Sequence, residues 1–304
     1  RDWSSDVCSS DLAIGPQSLA ITSQGVYFLV GLGFDPAVRT DPQKLGNAGG
    51  QNLGQLVYLP LNGSPQNWDD IAQYEATNNP ESAKVDSNPY AILAVADGFV
   101  VADAGGNSLL HVDNNKTITT LATFGPRMVD APPFLGMPEG SQIPMESVPT
   151  CVVQGTDGAF YVGELTGFPF EIGAARIWRV VPGEQPQVFA EGFTNIIGLA
   201  VAEDGGLYVL EIAKNSLQSD MPGGALILIK QDGSRKTVAE EGLIMPTAVA
   251  IGPDKALGKN IKEVHEFIGN LGYALIGVHA AAALFHHYVM RDDTLQRMLP
   301  GAAR

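Results

Sequence analysis

Cysteine is nearly missing: Cys8 and Cys151 are the only two in 304 residues. Two thiols make neither a disulfide framework nor a metal-ligand spacing, and they leave the redox compartment undecided. Positive charge is scarce as well. Lys and Arg number 18 against 33 Asp and Glu, a formal charge of -15. Because neutralising phosphates takes clustered Lys and Arg, and here they are few and scattered, a nucleic-acid partner is excluded. Charged residues make up 17 % of the chain and apolar ones 45 %, with 35 Gly and 20 Pro. That composition excludes a disordered chain and a coiled coil and fits a turn-rich globular protein. Of five histidines only His111 precedes residue 256, and no Gly-x-Ser-x-Gly elbow occurs, so a hydrolytic triad lacks its parts.

What the chain does have is repetition. Between Ala13 and Lys255 one phrase recurs: a short apolar strand, a Gly or Asp-Gly turn, a second strand, then two more strands around another turn. Pro16 to Val30 reads PQSLAITSQGVYFLV, Pro89 to Asp103 PYAILAVADGFVVAD, Pro149 to Glu164 PTCVVQGTDGAFYVGE, and Ile197 to Glu211 IGLAVAEDGGLYVLE. A fifth copy, Pro246 to Lys255, begins and stops. The base period is near 48 residues, with insertions in the early copies. Asp-Gly between alternating apolar residues is a strong hairpin signal because both residues tolerate positive φ. Four short strands at this period mark a β-propeller, since a sandwich lacks self-similarity and a β-helix has a shorter period. The expected class is all-β, with about four complete blades near residues 17–30, 90–124, 150–190 and 197–240. The first and last strands are expected to lack partners.

Asp103, Glu164 and Glu211 each end the second strand of their unit at one repeat position, so rotational symmetry would bring them to one rim of a central channel. Asn88, Thr150 and Asn195 sit near the starts of the preceding strands, on the same rim. A ring of carboxylates and amides can bind a hard cation such as Ca²⁺ through oxygen. The favoured alternative makes each acid an acceptor of N–H bonds from the following loop, as the turn Asp103-Ala-Gly-Gly-Asn107 suggests. An unidentified ligand at the channel is the expected partner. Asp97, Asp157, Asp204 and Asp232 read as turn residues.

The wording of the repeats carries a resemblance. VDSNPY (Val85 to Tyr90), VVADAGGNSLLHVD (Val100 to Asp113), APPFLGMPEGSQIPMESVPT (Ala131 to Thr150), YVGELTGFPFEIGAARIWRVVPG (Tyr161 to Gly183), GFTNIIGLAV (Gly192 to Val201) and LYVLEIA (Leu207 to Ala213) resemble the ScyD/ScyE family. These are exported bacterial propellers related to NHL-repeat proteins, and the likeness covers roughly residues 14–254. It implies six blades, a signal peptide and a periplasmic or extracellular binding or scaffold role without assigned catalysis. A calcium-dependent hydrolase of the six-bladed type is one alternative. Residues 1–12 (RDWSSDVCSSDL) lack the basic start and apolar h-region of a signal peptide. They resemble translated sequencing adapter and are read as artefactual.

From Ala256 the composition changes: five basic residues meet four acidic ones, and the remaining four histidines gather here. Phe267 to Met290 is a run of 24 residues without Asp, Glu, Lys or Arg. As a helix it would be about 36 Å long, enough to cross a bilayer. Lys259 and Lys262 before it and Arg291 and Arg297 after it supply polar flanks. One continuous helix is expected over about 259–290, with membrane contact through 267–290. His265 and His279 would share a helix face about 21 Å apart. LGKNIKEVHEFIGNLGYALIGVHAAAALFHHYVMRDDTLQRMLPG (Leu257 to Gly301) resembles the C-terminal transmembrane helix of bacterial cytochrome b561, a four-helix di-haem electron carrier. That likeness implies an inner-membrane origin and haem b, with His265 and His279 each giving one axial ligand. The opposite ligands belong to other helices, so no cofactor is expected on the isolated chain. The chain thus reads as 1–12 artefact, 13–255 propeller and 256–304 cytochrome-type helix, a chimera whose alternative function is membrane electron transfer.

Overall fold

The computed structural model describes residues 15–46 and 49–252. The expectations for residues 1–12, for the 259–290 helix and for His265 and His279 lie outside the described residues. The chain divides into two units, Arg1–Ala250 and Ile251–Arg304, and the architecture that follows belongs to the first.

Four antiparallel four-stranded sheets follow one another, each with its strands in sequential order. Blade I holds β1 (Gly15–Ile21), β2 (Gly25–Gly31), β3 (Gln55–Pro60) and β4 (Gln66–Asp70). Blade II holds β5 (Pro89–Val95), β6 (Gly98–Asp103), β7 (Ser108–Asp113) and β8 (Ile118–Thr123). A two-stranded hairpin, β9 (Arg127–Asp130) with β10 (Gln142–Met145), comes next. Blade III holds β11 (Pro149–Gln154), β12 (Phe160–Glu164), β13 (Ala175–Val180) and β14 (Gln187–Phe193). Blade IV holds β15 (Ile196–Val201), β16 (Leu207–Glu211), β17 (Ala225–Ile229) and β18 (Arg235–Ala239). The first strands adjoin in series, β1 with β5, β5 with β11 and β11 with β15. These are the four blades of a β-propeller that the repeats predict.

Alternation explains how the blades stack. Side chains along a strand point to opposite faces in turn, so an inner blade needs apolar residues at every position. All six residues of β6 are buried. Phe99 and Val101 pack with Tyr27, Leu29 and Leu56 of blade I, while Val100 and Ala102 pack with Val152, Phe160 and Val162 of blade III. A third core joins Ile177 and Phe193 to Leu199, Leu207 and Val209 of blade IV.

Three features depart from the sequence reading. Both end strands have a hydrogen-bonded neighbour, β1 with β2 and β18 with β17, because each hairpin satisfies its own outer strand. The start of the fifth repeat, residues 246–252, forms no strand. Lacking a hairpin partner among the described residues, residues 243–249 run beside blade IV. Leu243 O accepts from Gly224 N–H at 2.8 Å, and Leu210 and Val249 share an apolar cluster. A short helix, α1 (Ile71–Asn78), is inserted between blades I and II. Asp70 caps it by accepting from Gln73 N–H at 2.8 Å and also pairs with buried Arg39 at 2.9 Å. Among the described residues no helix is long and apolar enough to cross a membrane.

Phe124, 1 % exposed, fills the core between blades II and III and lies 5.4 Å from the Trp178 ring. Phe124→Ala should therefore cost about 3–5 kcal/mol, read as a lower urea midpoint at unchanged slope; a loss below about 1 kcal/mol would contradict this stacking.

Candidate functional site

Each of blades II to IV closes its first hairpin on an acid. In register, Pro89 faces Asp103, Pro149 faces Glu164 and Ile196 faces Glu211. Two residues before each first strand stands a hydroxyl residue, Ser87, Ser147 or Thr194. A carboxylate taken out of water must be given donors, and this repeated pairing gives them. Ser87 Oγ donates to Asp103 Oδ2 at 2.8 Å, and the N–H groups of Asn88, Gly105 and Gly106 donate to Oδ1 at 2.6, 3.1 and 3.1 Å. Burial raises the Asp103 carboxyl above its ordinary range, and those donors pull the other way.

Glu164, also fully buried, receives Ser147 Oγ at 2.7 Å, Trp178 Nε1 at 2.7 Å and Arg176 through its backbone N–H, Nε and Nη2. Arg127 adds an ion pair at 3.5 Å. Glu211 Oε1 accepts from Thr194 N–H at 2.6 Å. Burial lifts its carboxyl too, against the pull of Thr194 N–H and of Lys214 and Arg235.

Beside these acids, Asn195 and Thr150 tie blade to blade. Asn195, in the left-handed region at φ 48°, donates Nδ2 to Leu165 O at 2.7 Å and accepts from Leu217 N–H. Thr150 Oγ1 donates to Ile196 O at 2.7 Å. Asn88 gives its N–H to Asp103, while its Oδ1 is buried without a protein donor. The structure thus brings Asp103, Glu164 and Glu211 to equivalent places, each engaged by its own blade. Among the described residues no group of three or more His, Cys, Asp or Glu is placed to hold a metal ion. Cys151 is buried, which pushes its thiol up to about 12.

A second acidic centre has no counterpart in the sequence reading. Glu75 of α1 is 1 % exposed and its Oε2 has no hydrogen-bond partner. Asp103, Glu81 and Asp86 act on it as neighbouring negative charges. Glu81 and Glu146 share one donor group, Asn107 Nδ2, at 3.0 and 2.8 Å, and Asn107 Oδ1 takes Val148 N–H at 2.8 Å. A Cβ on Gly106 would stand 2.9 Å from Glu75 Oε2, so glycine is what lets the loop pass beneath the helix. Burial first, then the surrounding carboxylates, raise Glu75 to about 8. Burial and Glu146 raise Glu81 to about 7 against the Asn107 donor. Of this centre the sequence marks Asp103 and Asn107, the two ends of the Asp-Ala-Gly-Gly-Asn turn; Glu75 and Glu81 come from an insertion that carries no repeat.

Residues 225–301 match the family described as prokaryotic cytochrome b561, a span that begins in β17 and runs through the tail. "Cytochrome b561 homolog 1" of Escherichia coli (strain K12) is 50 % identical over 50 residues, covering 16 % of this chain and 28 % of that protein. "Probable superoxide oxidase CybB" of Yersinia pestis is 49 % identical over 59 residues, covering 19 % and 32 %. The chain therefore spans about a third or less of the length of these relatives. Among solved structures, a streptogramin B lyase is similar at TM-score 0.43 and 13 % identity, over 80 % of this chain and 74 % of that one.

The second centre makes a pH prediction. Folded Glu75 and Glu81 hold protons up to about 8 and about 7, against an ordinary carboxyl value of 4.5. Between those limits the folded state binds more protons than the unfolded one, so stability present below about 4.5 is lost as pH rises through 7 and 8. Each extra proton gives a slope of about 1.4 kcal/mol per pH unit at most. Urea midpoints should fall from pH 5 to 8.5, and Glu75→Gln should flatten that fall; a flat wild-type profile would contradict the assignment.

Proposed function

We propose that the propeller is a binding or scaffold module of the exported ScyD/ScyE type, without catalysis of its own, joined to a tail of cytochrome b561 descent. The observation that carries this reading is the engagement of the repeat-position acids by their own blades. Asp103 is closed over by four donors, and Glu164 by Ser147, Arg176 and Trp178. A calcium-dependent hydrolase needs open oxygens at those positions, so the donors weigh against it. Binding then falls to the loops that connect the strands.

The tail supports a separate history. Its similarity to cytochrome b561 implies haem b and an inner-membrane segment, with membrane contact through 267–290. Two unlike sequence types in one chain support the chimera reading. His265 and His279 are 14 residues apart, about 21 Å along a helix, too far to ligate one iron. A bis-imidazole haem needs two axial ligands on one iron, so this donor set supplies half of each site.

Reconstitution with hemin tests the choice between binding module and electron carrier. The expected outcome is no stoichiometric low-spin bis-His spectrum. Such a spectrum, abolished in a His265→Ala, His279→Ala double variant, would overturn the reading and make electron transfer the function.

A further inference from the structure

Three connections converge beside blades III and IV: the β9–β10 hairpin, the β12–β13 loop and the β16–β17 loop. They enclose an open groove of about 490 Å³, within the size range of ligand sites. Asp130, Pro132, Pro169, Glu171, Ile172 and Gln218 are among its lining residues. Around it the same connections leave large apolar side chains in water. Phe134 is 68 % exposed, Ile172 65 % and Met221 78 %. Phe134 meets Phe168 edge to face at 6.0 Å, which fixes the hairpin tip over the second loop. Exposed apolar groups gathered at a groove mark an interaction site, and methionine adapts to varied partners.

Charge says what kind of partner. The connections carry Asp130, Glu139, Glu171 and Asp220, and none of these forms an ion pair among the described residues. Their two basic residues outside the strands' own contacts are committed: Arg127 pairs with Glu164 and also bonds Ala174 O, and Lys214 pairs with Glu240 at 2.8 Å. The groove's lining carries two acids and no basic residue, with apolar Pro169 and Ile172 beside polar Asn215 and Ser219, in a chain of net charge -15. An anionic lipid surface or an acidic ligand would be repelled.

We infer that this groove binds a cationic amphipathic peptide segment, its apolar side chains seated on Ile172, Phe134 and Pro169 and its Lys or Arg groups set against Asp130 and Glu171. The assignment rests on the binding reading above and names the partner's chemistry. Burial of the apolar face supplies affinity, and the paired charges orient the segment and exclude acidic competitors.

Titration of the full chain with two dansylated twelve-residue peptides, one of Leu and Lys and one of Leu and Glu, tests it. The Leu/Lys peptide should bind one per chain, at least tenfold more tightly than the Leu/Glu peptide. Asp130→Lys with Glu171→Lys should weaken it at least tenfold, and so should Ile172→Ser with Phe134→Ser. Asp41→Lys with Glu203→Lys, an equal change in net charge elsewhere, should leave binding within twofold. Equal loss in that control pair, or equal binding of both peptides, overturns the inference by reducing it to bulk charge or bulk hydrophobicity. A chain that takes neither peptide and no haem overturns it while leaving the binding reading standing; a bis-His haem spectrum overturns that reading whatever the peptides do.

Discussion

The structure depends on burying a carboxylate at the end of the second strand in three successive blades. Sheets stacked face to face exclude water from the strand ends as well as from the cores, and the chain must still turn there, exposing N–H groups that the ladder cannot use. Asp103, Glu164 and Glu211 resolve both needs by accepting from the residues that lead into the first strand of the same blade. Each acid thereby fixes where its blade begins. Asn195 and Thr150, set by those same lead-in segments, then reach the neighbouring blade. A carboxylate engaged in this way is a poor ligand or base.

The connections divide into two kinds. The segment between blades I and II folds inward: α1 brings Glu75 onto the Gly105-Gly106 turn, and Glu81 reaches Asn107. Its acids are buried and retain protons toward neutrality. The connections beside blade III fold outward and leave Asp130 and Glu171 in water beside exposed Phe134 and Ile172. The chain's acids thus gather in two settings, one buried among other carboxylates and one in water.

How much of this was legible in the sequence follows from the range of the forces involved. Hairpins are local, so the Asp-Gly and Gly turns placed β5–β6, β11–β12 and β15–β16 correctly, and the Asp103-Ala-Gly-Gly-Asn107 turn announced its acceptor. The equivalence of Asp103, Glu164 and Glu211 followed from the repeat. Ser87, Ser147 and Thr194 are equally periodic, and a hydroxyl residue two places before each first strand is the signal for the donors of these acids. The helix α1, the β9–β10 hairpin, the Glu75 centre and the groove were not legible. They lie in insertions, and their partners are set by tertiary packing across blades rather than by any period.

The central claim is that these acids act as buried struts, and amide hydrogen exchange on the native chain tests it most directly. The N–H groups of Asn88, Gly105 and Gly106, bonded to Asp103, and of Thr194, bonded to Glu211, should be protected to the level of the strand amides around Val100 and Val209. Ser234, whose N–H is bonded at 2.8 Å to the exposed carboxylate of Asp232, is the internal contrast and should exchange quickly. Exchange of the first four amides as fast as that of Ser234 would contradict the account.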